Sequence, residues 1–219
     1  MSRVATARSW SLPAPARTAV LAFGAQSALA LAYLLATDAG LAAPTMLAVP
    51  FVWLTVAAVA VRHAERPAAG RTVRWIAGAV GAAYALGLAW LMGAVSPSMA
   101  ATGLNVVMLP PGWGPAVQYS GTVLSVTLVP YRVLGVASLG YLVSLAVRDA
   151  VDSGVSLGVG GVVALGSCAG CALPLLAAVG GVLGGVGLGL GTVPAIGGGT
   201  YFLGTAAYVL AVAVLVVRR

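Results

Sequence analysis

Two long stretches of this chain, residues 75 to 131 and 153 to 217, contain no charged residue. A water-soluble domain cannot leave runs of that length bare, because ionised side chains, roughly a quarter of a typical soluble sequence, solvate its surface. Here 7% of residues are charged and 61% are hydrophobic, with a mean hydropathy of +1.05. A soluble enzyme is excluded on that ground. Intrinsic disorder is excluded too, since disordered segments are polar and poor in apolar side chains. The sequence predicts an all-α, polytopic transmembrane helix bundle in the cell membrane.

About 20 predominantly apolar residues cross a bilayer. On that measure six spans are expected, over residues 18–37, 41–61, 75–95, 130–147, 172–190 and 200–217, within one integral membrane domain 1–219. Pro44 and Pro50 should kink the second span or delay its start. The Ser96-Pro97-Ser98 turn should stop the third. The first span follows arginines as a signal peptide would. Its apolar core is longer than a signal h-region, so it is read as a retained span.

The net charge of +7 comes with no lysine. Arginines cluster at 3–17, 62–74, 148 and 218–219, between apolar runs, while the intervening connections hold none. Nucleic-acid binding requires a continuous basic face, and this distribution argues against it. It matches cationic loops retained in the cytoplasm, which puts both termini on the cytoplasmic side.

Residues 96–129 form a long uncharged connection with Pro97, Pro110, Pro111, Pro115, Trp113 and Tyr119. It is read as an ordered outer cap. Thr122 to Val129 alternates loosely between polar and apolar, which fits either a short strand or an extension of the fourth helix. Val155 to Gly166 is too short to cross alone. It is interfacial, re-entrant or the lower part of a long helix.

The strongest chemical motif is Ser167-Cys168-Ala169-Gly170-Cys171-Ala172-Leu173-Pro174. A Cys-x-x-Cys pair can close a disulfide or give a soft metal such as copper(I) two ligands. With Pro174 in the first turn of a helix, unpaired N–H groups would favour a thiolate at Cys168, leaving Cys171 as the resolving thiol. The bland reading is that both cysteines are small packing residues. Met92, Met99 and Met108 are further soft ligands by type, though packing is the commoner use. With His63 the only histidine, neither bis-histidine haem nor a four-ligand structural zinc site can be built from one chain. No cofactor is expected.

Arg132, beside Tyr131, is the only arginine outside the cationic clusters. No acid lies in a span to neutralise it, so it should snorkel to headgroups or cap carbonyls. The functional alternative is an anion or headgroup site shared with Tyr131. Gly180, Gly181, Gly184 and Gly185 form overlapping Gly-x-x-x-Gly pairs suited to close helix packing. The spans contain no Asp, Glu or His, which disfavours proton pumping and cation coupling.

At Cys168-Ala169-Gly170-Cys171-Ala172-Leu173-Pro174, with Val129-Pro130-Tyr131-Arg132-Val133-Leu134-Gly135 before it, the chain resembles a family of uncharacterised haloarchaeal membrane proteins. These have a six-span layout, a Cys-x-x-Cys-x-x-Pro motif before a late helix, and genes often near terminal oxidases. The resemblance implies a link to respiratory-complex assembly or redox upkeep. The chain is also similar to thiol-carrying transmembrane proteins of cytochrome maturation, but those place one cysteine on each of two repeats. The expected function is an accessory membrane protein handling thiols or a soft metal. The alternatives are a non-catalytic scaffold packing through its glycine-rich helix, by self-association or against a respiratory complex, and a glycine-lined channel.

Overall fold

The computed structural model describes residues 13–37, 44–97, 102–152 and 199–217. Five helices and one sheet are found there: α1 (Ala14–Ala36), α2 (Pro44–His63), α3 (Arg71–Leu91), β1 (Val95–Pro97), β2 (Gly103–Val107), β3 (Ala116–Ser120), β4 (Leu124–Leu128), α4 (Pro130–Asp152) and α5 (Gly199–Val217). The four-stranded antiparallel sheet overturns the all-α, six-span bundle expected from hydropathy. Among the described residues, three helices are long and apolar enough to cross a membrane: Ala14–Ala36, Arg71–Leu91 and Pro130–Val151. The expected fifth span, 172–190, and the 155–166 stretch lie outside the described residues.

The sheet escaped the hydropathy reading because apolar length cannot register strands of three to five residues. Its logic is visible once the strands pair in the order β1-β4-β3-β2. Val95, Val126, Tyr119 and Leu104 stand opposite one another across the strands, as do Leu128, Val117 and Val106. These residues fall on one face, since side chains alternate along a strand. Asn105, Gln118 and Thr127 share the other face, along with Ser96 and Ser125, whose hydroxyls lie 2.8 Å apart. The prolines respect the ladder: Pro97 sits on the edge strand β1, while Pro110, Pro111 and Pro115 lie between β2 and β3.

Helix boundaries follow backbone chemistry. Pro15 stands in the first turn of α1, where a missing N–H costs nothing. Helix α2 begins at Pro44 and carries Pro50 within it. Helix α3 ends four residues before the expected stop at 95, because Gly93 adopts the left-handed conformation (φ 71°). There the Gly93 N–H bonds to Trp90 O and the Ala94 N–H to Ala89 O, which closes the helix as a Schellman motif.

Helix α4 packs against α2, α3 and α5, and α2 also packs against α1 and α5. Val95 on the strand after α3 pairs with Val126 on the strand before α4, so α3 and α4 run antiparallel with the sheet at their joined ends. The Thr18 hydroxyl at the start of α1 lies 2.9 Å from His63 Nε2 at the end of α2. Arg17, Arg62, Arg71, Arg74 and Arg148 consequently gather at the end remote from the sheet. Only Arg132 stands at the sheet end among the described charges.

Candidate functional site

Trp53, about halfway along α2, is the hub of the interior. Its ring stacks on Tyr208 of α5, with centroids 4.1 Å apart and planes within 6°. It meets Tyr131 of α4 edge-on at 5.6 Å. Its indole N–H donates to Thr205 Oγ1 at 3.0 Å. The Ser138 and Tyr208 hydroxyls lie 3.0 Å apart, and backbone carbonyls accept from both: Gly135 O from Ser138 at 2.7 Å and Trp53 O from Tyr208 at 3.4 Å. Gly135 is where α4 passes the indole: a Cβ there would collide with the six-membered ring of Trp53. This cluster ties α2, α4 and α5 together with each polar atom answered inside the protein, as an apolar surround demands.

The cluster continues to the sheet end. Tyr131, 2% exposed, also has the Trp113 ring 4.8 Å away. The Tyr131 N–H donates to Gly112 O at 3.3 Å. Gly112 holds a left-handed φ of 88° and lies so close to the buried Pro50 that a side chain there would strike the proline ring. Pro50 therefore seats the loop before β3. Arg132 extends from this base. Its Nε donates to the Tyr131 hydroxyl at 3.2 Å, and its guanidinium carbon lies 5.7 Å from the Trp113 centroid and 5.9 Å from that of Tyr131. Both distances are within cation–π range.

Tyr131 and Arg132 thus meet, with Trp113, from the connection between β2 and β3, as a third member. Two aromatic faces lie within reach of the guanidinium. Cys168, Cys171, Gly180, Gly181, Gly184 and Gly185 lie outside the described residues, as does Met99. Met108 accepts a bond from the Tyr33 hydroxyl at 3.5 Å, and that hydroxyl also reaches Leu109 O at 3.0 Å. Among the described residues, no group of three or more His, Cys, Asp or Glu is placed to hold a metal ion.

Trp53, Tyr208, Ser138 and Thr205 were missed by the sequence reading. Aromatic residues in mid-span are the signal that was there to be weighed. Among the described residues, close helix contact occurs at Gly81 and Gly140. A Cβ on Gly140 would lie 2.7 Å from Gly81 O and 3.0 Å from Ala85 Cβ, so α3 and α4 touch backbone to backbone.

The fold and site together define a helical protein with apolar helices around an aromatic core, capped at one end by a small amphipathic sheet. The chain belongs to DUF7546, a family of unknown function, matched over residues 1–219. No curated protein and no solved structure matches it.

Proposed function

We propose that this is a multi-pass cell-membrane protein, oriented with its arginine-rich end toward the cytoplasm, that serves as an accessory scaffold for a membrane partner. The observation that carries the reading is the sheet. On its apolar face Leu104 (68% exposed), Val106, Tyr119, Leu124 and Leu128 are all open, with no charge anywhere from residue 75 to 131. An open apolar face of this kind marks an interaction surface. Its lack of charge suits an apolar, uncharged surface on another membrane protein, at the same height above the bilayer.

The membrane assignment is supported by α1 and α3. Val20, Leu21, Leu29, Leu31 and Leu35 of α1, and Trp75, Leu86 and Trp90 of α3, all face outward. In water such helices would aggregate; in lipid tails they need no cover. Extraction of membranes with alkaline carbonate tests this part, and the protein should stay in the pellet. The scaffold role is tested by Leu104→Glu combined with Tyr119→Glu. The variant should still insert but lose any partner that co-purifies with the wild-type protein in mild detergent. Retention of that partner would overturn the role assigned to the sheet.

A second reading rests on the Cys168-x-x-Cys171 motif with Pro174: thiol exchange or copper(I) handling during assembly of a respiratory complex. The resemblance to haloarchaeal proteins encoded near terminal oxidases supports it. Under this reading, replacing both cysteines by serine abolishes activity while the partner complex still forms. Under the scaffold reading that variant both assembles and works.

A further inference from the structure

The geometry points to Arg132 as a binding site for a phosphate group at the sheet end of the bundle. Tyr131 and Trp113, only 2% and 8% exposed, form a fixed shelf beneath its guanidinium. The shelf is held from behind by Trp53 and by the bond from the Tyr131 N–H to Gly112 O. The side chain is therefore oriented before any ligand arrives, so binding freezes little further motion. Nε is committed to the Tyr131 hydroxyl, whereas no described residue accepts from either Nη group. A guanidinium presenting its terminal donors as a fork matches two oxygens of a tetrahedral oxyanion.

Nothing described nearby competes for that charge. The elements packed around the site bring Trp53 and Pro50 from α2, Tyr208 from α5 and an uncharged sheet. Immediately along α4 the surface turns apolar, with Val133 and Leu134 about half exposed. A cationic fork above an apolar strip suits the phosphodiester of an anionic phospholipid with its acyl chains beside Val133 and Leu134. Inorganic phosphate offers the same oxygens without the chains. The phospholipid source rests on the membrane reading above.

The test is native mass spectrometry of the full chain in a neutral detergent, titrated separately with phosphatidylglycerol, phosphatidylcholine and inorganic phosphate. Wild-type protein should prefer phosphatidylglycerol to phosphatidylcholine. Arg132→Gln should weaken phosphatidylglycerol binding by at least about fivefold, the worth of one basic residue at an anionic surface. Arg132→Lys, which keeps the charge and loses the fork, should fall between them and guards against a packing defect in the glutamine variant. Displacement of the lipid by inorganic phosphate would identify a free anion as the ligand; no displacement would identify the headgroup. Equal lipid and phosphate binding by wild type and both variants would overturn the site. Carbonate extraction reads the membrane assignment independently, because the protein can remain in the pellet whether or not Arg132 binds a lipid.

Discussion

Helices α1 and α4 are equally long, at 23 residues each, and both are apolar enough to span a bilayer, yet they stand at opposite extremes of packing. No residue of α1 is buried, whereas more than half of the apolar stretch of α4 is. Helix α4 meets its neighbours through small residues, with Gly140 against Gly81 and Gly135 against the Trp53 ring. Helix α1 is attached by one edge-on aromatic pair, Phe23 against Phe51 with centroids 5.2 Å apart, and by polar contacts. The Gln26 side-chain amide donates to Thr55 Oγ1 at 2.9 Å, Thr18 pairs with His63, and Tyr33 reaches Leu109 O. Hydropathy is blind to this difference. In lipid, which helix sits centrally is decided by where backbones can approach and where polar atoms find partners.

The contrast can be broken by substitution, with unfolding free energies measured in bicelles. Trp53→Ala should have the largest effect, about 3–5 kcal/mol, because it removes the ring that α4 and α5 both pack against. Gly140→Val follows, at about 1–3 kcal/mol. Its new side chain meets Gly81 O, which is backbone and cannot rotate away; an unchanged stability would mean that α3 and α4 do not touch there. Thr55→Val should cost about 1 kcal/mol, since the Gln26 amide loses its acceptor on α2. Gln26→Leu should cost less than Thr55→Val, as it also removes Oε1, a buried acceptor with no partner among the described residues. Leu29→Ala, on the outward face of α1, should stay within about 0.5 kcal/mol of wild type. A loss above that would show α1 buried against another surface.

The sequence was informative wherever a single long-range property decides the outcome. Arginine clusters between apolar runs mark the end at which Arg17, Arg62, Arg71, Arg74 and Arg148 gather. It was uninformative where structure depends on pairing. Residues 96–129 looked like a cap with one alternating patch at 122–129, because β2 and β3 reveal their two faces only when Leu104 is set against Tyr119 and Asn105 against Gln118. The helix-closing role of Gly93 was hidden for a similar reason: one left-handed residue outweighs an apolar run that continues past it. Of the candidate site, Tyr131 and Arg132 were legible as an isolated charge beside an aromatic. Trp113 was not, since eighteen intervening residues separate it from Arg132 and only the seating of its loop on Pro50 brings the two together.

Because α4 is the element to which both α2 and α3 adhere, the order of synthesis matters. A ribosome working from the amino terminus releases α1, α2, α3 and the whole sheet before α4 emerges. Until then α2 and α3 lack their common neighbour, and the glycine at position 81 has no opposing backbone to meet. Translation of residues 92 to 129, which hold all four strands, thus separates the appearance of α3 from that of the helix it packs against.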